Sequence, residues 1–340
     1  MKTSACVCAF GARVILKHLK AFEKEWQGVH TGAEDIEHIH RMRVASRRLR
    51  ATLPLFERCF PPKKLDGWMK AIRRVTRALG AARDADVQIA RVQAFLDGVE
   101  DARLRPGLQR LLLRLRQARM SHQPAVTAAL EKLAEQGTLE EMKTLLEERL
   151  NACEEGTPPD AELYALAHAE IARRLETFLS YDAIVPVPER VAELHEMRIA
   201  TKWLRYTIET FAPLYPDELS HWLGLLRNIQ ERLGQIHDDD VWLTFLPAFL
   251  EEERQRVETF YGYTRPFRRL VAGVQWFEQA CREERERLYH EFVSDWQTWK
   301  ARREWETLQE QINLPRLDTG NIYPPLKQEE NHNDSEILSM

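Results

Sequence analysis

Residues 40–62, HRMRVASRRLRATLPLFERCFPP, align without a gap on residues 195–217, HEMRIATKWLRYTIETFAPLYPD, at a constant offset of 155. A second block follows at offset 154, where RRVTRALGAARDADV from Arg73 matches RNIQERLGQIHDDDV from Arg227 and sets Gly80 against Gly234, Asp84 against Asp238 and Asp86 against Asp240. Such a tandem duplication constrains the fold, because both halves must adopt the same local structure and bury equivalent faces. The halves run from about residue 9 to 150 and from about 160 to 312.

Long periodic segments rich in Leu, Ala, Glu, Arg and Gln fill both halves, broken by FPPKK, EEGTPPD and IVPVPER, and the alternation of a strand is absent. This predicts an all-α fold, and 44% hydrophobic composition in 340 residues suffices for a sizeable core. The stretch from residue 313 to 340 loses helical periodicity and gains Pro, Asn and acidic residues, so a disordered tail is expected there. No run of about 18 uncharged apolar residues occurs, and Arg13 and Lys17 interrupt the N-terminal apolar patch before a signal-peptide core develops. A cytoplasmic protein with no membrane partner is expected. The five cysteines, at 6, 8, 59, 153 and 281, are odd in number and scattered, which fits reduced thiols better than a disulfide framework. Cys6 and Cys8 form a lone CxC with no second pair to complete a metal site.

The duplication preserves more than a core. Although the net charge is −4, residues 38–50 hold five arginines and two histidines with no carboxylate. On a helix His40, Arg43, Arg47 and Arg50 fall within about 80° of one another, opposite a stripe of Met42, Ala45, Leu49, Leu53 and Phe56. The second half repeats that front as His195, Arg198, Lys202 and Arg205. Packing explains a duplicated apolar stripe but does not require a duplicated His/Arg face. Lys70, Arg73 and Arg77 make a further stripe in the first half, of which only Arg227 survives in the second, beside Gly224 and Glu231. Arg116 and Arg119 align loosely with Arg282 and Arg285. Asp84, Asp86, Asp238, Asp239 and Asp240 each follow a Leu-Gly step and are read as helix N-caps rather than metal ligands. Histidines two apart, as in HIH, point about 200° apart on a helix and chelate poorly.

At these residues the chain resembles the conserved histidine α-helical domain, the CHAD family. The motif HxxRVxxRRLR stands at His40, Arg43, Val44, Arg47, Arg48, Leu49 and Arg50, and its second copy, HxxRIxxKxLRY, at His195, Arg198, Ile199, Lys202, Leu204, Arg205 and Tyr206. Leu79, Gly80, Asp84 and Asp86, with Leu233, Gly234, Asp238 and Asp240, are similar to the family's second motif, and the resemblance covers roughly residues 9–305. It implies two tandem four-helix bundles related by a pseudo-twofold axis, with a basic surface between them that binds inorganic polyphosphate. Trp203 departs from the small or basic residue usual at its position. Many such domains are fused to a triphosphate tunnel domain bearing ExExK on a strand; none stands here, and no catalytic phosphohydrolase module is expected.

A polyphosphate chain needs many cations spread along a line. Arginine suits this through its bidentate, permanently charged fork, Lys202 supplies a point charge, and released counterions drive association. His40 and His195 donate when protonated. The expected binding set is His40, Arg43, Arg47, Arg48, Arg50, Arg73, Arg77, His195, Arg198, Lys202, Arg205, Tyr206 and Arg227, with no metal, no cofactor and no catalysis. Polyphosphate granules and their proteins are the expected location and partners. The alternatives are a polyphosphate-metabolising enzyme or accessory subunit, for which no P-loop or nucleophile constellation is found, and a nucleic-acid-binding helical protein. The second would usually add stacking aromatics or overall basic charge.

Overall fold

The computed structural model describes residues 3–32, 36–215 and 218–313, and these are helical with short connections. Helix α1 (Ala5–Lys24) starts at Ser4, whose hydroxyl oxygen accepts from the Val7 N–H at 3.1 Å. The short α2 (Trp26–Thr31) stops at Gly32, whose φ of 67° is left-handed. Helix α3 (Glu37–Thr52) carries the first cationic face and runs into a 3₁₀ helix, Leu53–Cys59. Helix α4 (Pro62–Gly98) opens on Pro62, which lacks only an N–H that the first turn leaves unpaired. Helix α5 (Arg105–Glu135) returns beside it, and α6 (Thr138–Asn151) closes the first half.

The second half repeats this order. Helix α7 (Ala161–Leu179) is capped by Asp160, which accepts from the Leu163 N–H at 2.8 Å. Then come α8 (Val191–Phe211), α9 (Ser220–Tyr261), α10 (Arg268–Ala301) and α11 (Glu304–Asn313). Helix α3 packs on α1 and α4 as α8 packs on α7 and α9, and α5 lies on α4 as α10 lies on α9. The halves meet where α3 faces α8, α1 faces α7 and α5 faces α10. The three predicted breaks stand before α4, α7 and α8. Asn313 still ends a helix, and the rest of the expected tail lies outside the described residues.

The apolar backs pack as the periodicity predicts: Met42 and Leu49, with their counterparts Met197 and Leu204, are fully buried. The cores of the two halves are joined. One apolar cluster runs through both, and the duplicated Phe56 and Phe211 meet within it, ring centroids 5.9 Å apart, with Phe10 at 6.1 Å from each. A second cluster, including Val92, Leu108, Trp242 and Phe277, lies where the outer parts of α4, α5, α9 and α10 converge.

One expectation is corrected. Cys8 and Cys59 form a disulfide, their Cα atoms 5.3 Å apart across 51 residues of sequence, while Cys6, Cys153 and Cys281 are free. The odd count concealed a single bridge, because α1 packs on the 3₁₀ helix and brings together positions that the sequence keeps far apart.

Helices α5 and α10 cross at glycines. A Cβ on Gly107 would overlap the Leu270 carbonyl oxygen, and one on Gly273 would overlap that of Leu104. Both obstacles are backbone, so neither can swing aside. Gly273→Ala is expected to lower unfolding free energy by roughly 2–4 kcal/mol in denaturant titrations. Gly67→Ala, on the exposed side of α4 with nothing within 4 Å of the new Cβ, should raise it by about 0.5–1 kcal/mol.

Candidate functional site

Because α3 and α8 lie against each other at the junction of the halves, the two copies of the cationic face meet. Arg47 donates from Nη2 to the hydroxyl of Tyr206 in the other half, and its guanidinium lies over that ring, 5.6 Å from the centroid. Arg205 lies over the same ring at 5.0 Å. Tyr206 is buried, so it positions Arg47 from below rather than facing solvent.

Arg43 and Arg198 occupy equivalent posts. Arg43 donates to Asp84 on α4 at 3.2 Å, and Arg198 sits 4.0 Å from Asp238 on α9. Gly80 and Gly234 underlie them, where a Cβ would come within 3.7 Å of Arg43 Nε and 3.6 Å of Arg198 Nε. Each guanidinium therefore lies close to a helix at its glycine, at a distance where a Cβ would make ordinary contact. Between them stands Lys202. Burial first, then repulsion from Arg198, Arg47 and Arg43, holds its ammonium down to about 6. Arg50 is likewise lowered by burial and then by Arg73, Arg47 and Arg77, and its Nε is buried without a partner. A continuous run of positive charge thus passes from Arg198 in the second half through Arg47 to Arg73 and Arg77, which are exposed on α4. Among the described residues no carboxylate forms an ion pair with Arg47, Arg50, Arg73, Arg77 or Lys202.

The remaining expected residues are placed differently. Arg205 is held by Glu209 at 2.8 Å and by Gln230 at 3.1 Å, and Arg48 pairs with Glu209 at 3.6 Å. Glu209 therefore neutralises part of the second copy. Its counterpart by the repeat is Pro54, so the first half has no such carboxylate. Arg227 is exposed on α9, and no ion pair or hydrogen bond among the described residues joins it to the run.

His40 and His195 flank the run, but both are held below the ordinary histidine range by burial first, then by Arg83 at His40 and by Arg198 and Lys202 at His195. In the free protein they are neutral, and a nearby anion is needed to charge them. His237, which the sequence reading passed over, packs on His195 with ring centroids 4.0 Å apart and is pushed to about 4, by burial and then by His195 and the neighbouring cations. Its signal was present, since the repeat sets His237 against Arg83, the residue that adjoins His40.

The aspartates are not N-caps. Asp84 and Asp86 lie inside α4, and Asp238, Asp239 and Asp240 inside α9, because the preceding glycines continue the helices instead of ending them. They are anchors for arginines. Asp86 accepts from Arg119 at 2.7 Å and Asp240 from Arg285 at 2.8 Å, so the loose alignment of those arginines resolves into equivalent pairs. Buried Asp239 accepts from Arg91 of the first half. Arg116 and Arg282 bond instead to Gln93 and Glu278. Among the described residues no three His, Cys, Asp or Glu side chains converge in the manner of a metal site.

A duplicated all-helical chain that pools two cationic helix faces at its internal junction defines a distinct class of protein. Residues 13–247 match the CHAD domain, and the chain belongs to that family. Its fold is similar to the crystal structure of the CHAD domain from the plant Ricinus communis, with a TM-score of 0.58 at 23% identity, covering 93% of this chain and 94% of the other. It is also similar to PptA from Streptomyces chartreusis, with a TM-score of 0.55 at 17% identity, covering 85% of this chain and 99% of that one. No curated protein matches the chain significantly.

The state of Lys202 makes ligand-free stability depend on pH. Its folded value of about 6 lies below its ordinary 10.5, so between those values the unfolded chain binds more protons and stability rises with pH. Lys202→Met should raise the midpoint of thermal unfolding at pH 7, by roughly 1–3 kcal/mol of stability, and flatten its rise between about pH 6 and 9. Melting curves across that range check both.

Proposed function

We propose that the chain binds inorganic polyphosphate along the α3–α8 junction without cleaving or extending it. The observation that carries this reading is the group of Arg47, Lys202, Arg50, Arg73 and Arg77, with which no carboxylate among the described residues forms an ion pair, bordered by Arg43 and Arg198 on their aspartates. Each half alone contributes a short stretch; joined, they make a track suited to an extended polyanion whose every unit carries charge. Arginine forks engage phosphate oxygens bidentately, and each neutralised phosphate releases condensed counterions, so binding weakens steeply with salt. Membership of the CHAD family supports the same ligand. The carboxylates nearest the track, Asp84 and Asp238, adjoin Arg43 and Arg198, where they orient cations rather than activate a nucleophile, so the role is attachment. The chain then carries itself to polyphosphate granules, or regulates a partner there.

Titration against long-chain polyphosphate, pyrophosphate and single-stranded DNA tests the proposal. Long chains should bind far more tightly than pyrophosphate, and more tightly than DNA of equal charge. Arg43→Gln with Arg47→Gln, and Arg198→Gln with Lys202→Gln, should each weaken long-chain binding by roughly 10–100-fold. Glutamine is preferred to glutamate because a carboxylate at 43 would face Asp84 and disturb folding. Equal affinity for pyrophosphate, preference for DNA, or two folded double variants with undiminished affinity would overturn the reading.

Proton uptake is a second expected signature. The bound anion should raise the Lys202 value from about 6 and charge His195, so affinity should increase as pH falls from about 8 to 6, the window above the free-state value in which binding takes up protons. Lys202→Arg, charged throughout, should shallow that dependence, as calorimetry in buffers of different ionisation enthalpy would register.

A further inference from the structure

The α9–α10 turn lies at the opposite end of α9 from the track. Phe260, Tyr261 and Tyr263 are 81%, 52% and 55% exposed there, whereas Trp242 and Phe249, earlier on the same helix, are buried. The Phe260 and Tyr261 rings meet edge-on with centroids 4.8 Å apart, and Tyr263 lies 6.0 Å from Tyr261, so the three form one patch. Gly262, with φ of 74°, ends the helix and turns the chain back. Arg265, Arg268 and Arg269 follow, all exposed. The segment TFYGYTRPFRR, residues 259–269, contains these three arginines and no carboxylate. The acidic residue just before it, Glu258, is occupied by Arg254 at 3.0 Å. Among the described residues no carboxylate pairs with the three arginines.

Exposed aromatic patches of this kind mark interaction surfaces. The local charge selects an anionic partner, and the shape selects among anions. Single-stranded nucleic acid asks for ring faces on which successive bases stack; here the rings stand at 79° and 51° to one another on a protruding turn. That shape suits a bilayer interface, where Phe and Tyr side chains enter between headgroups and arginines meet lipid phosphates. We propose that the α9–α10 turn is a peripheral docking surface for an anionic lipid bilayer. No described helix is long and apolar enough to cross a membrane, so the contact is by insertion of side chains at the surface. An eleven-residue turn has none of the length or continuous hydropathy of a spanning segment, so sequence hydropathy alone gives no sign of a membrane contact here. Some 40 Å of helix, at 1.5 Å per residue, separate this turn from Gly234, so docking leaves the cationic track open.

The test is cosedimentation of the full chain with vesicles of phosphatidylcholine alone and of phosphatidylcholine with phosphatidylserine. Binding is expected to the second and not the first. Arg265→Glu with Arg268→Glu and Arg269→Glu should weaken it roughly a hundredfold, and Phe260→Ser with Tyr261→Ser should weaken it at least about tenfold. Both variants should keep the thermal unfolding and polyphosphate affinity of the parent. Saturating long-chain polyphosphate should leave vesicle binding intact; displacement would assign the lipid contact to the track and overturn the proposal. Failure to bind the anionic vesicles, undiminished binding by both variants, or loss of single-stranded DNA binding alone in these variants would overturn it too. None of these results bears on polyphosphate binding at the junction, so the two readings stand or fall separately.

Discussion

Cations brought together repel, and the junction of α3 with α8 exists against that repulsion. After burial, Arg47 and Arg198 both act to lower Arg43, and Arg198, Arg47 and Arg43 all act to lower Lys202, so like charges oppose one another across the junction. What holds the halves together lies beneath the charge. Phe56 and Phe211, duplicates of one another, pack on each other and on Phe10, and the apolar faces of both halves merge into one cluster. Arg47 is itself part of the clamp, because its bond to Tyr206 crosses from one half to the other. Asp84 and Asp238 hold Arg43 and Arg198 from the outer side. The charge is thereby gathered without being cancelled, which is the condition for capturing a polyanion.

The two copies have diverged in a consistent direction. Where the first copy has Arg47, Pro54 and Arg77, the second has Lys202, Glu209 and Glu231. Glu209 pairs with Arg205 and Arg48, whereas Arg227, like its counterpart Arg73, is exposed. Arg47, Arg50, Arg73 and Arg77 give the first half the larger share of permanent charge, while the second adds to Arg198 a lysine and a histidine, Lys202 and His237, that burial holds well below their ordinary values. A duplicated surface with identical charge on both sides would be harder to fold. On the proposed reading, Lys202 and His237 at the second copy let repulsion fall in the free protein and return when an anion compensates it.

Much of this was legible in sequence because it depends on short-range periodicity. The apolar stripe of Met42 and Leu49 and the front of His40, Arg43 and Arg47 follow from helical spacing alone, and the offsets of 155 and 154 pair each with its copy. What depends on tertiary approach was not legible. The Cys8–Cys59 bridge needs α1 to meet a 3₁₀ helix half a hundred residues away. The aspartates looked like caps because glycine before an acid usually marks a boundary, whereas here Gly80 and Gly234 lie inside continuous helices. The two repeats do not announce in sequence that their apolar faces merge, and one buried cluster spans both halves. His237 was the avoidable omission, since its alignment with Arg83 was already in view.

Lys202 shows why a destabilising residue persists at such a site. A methionine there would fill similar volume without desolvated charge, and the fold would gain by it. An arginine would remain charged and meet three like neighbours with no way to relax. Unlike arginine, a buried lysine can shed its proton at accessible pH, so on the proposed reading Lys202 is an uncharged amine in the empty track and a point charge in an occupied one. Functional sites commonly keep such residues at a cost in stability. Here the cost falls on the half where Glu209 has already reduced the field, and the duplicated fold tolerates it because the aromatic contact between Phe56 and Phe211 does not depend on the charge state above it.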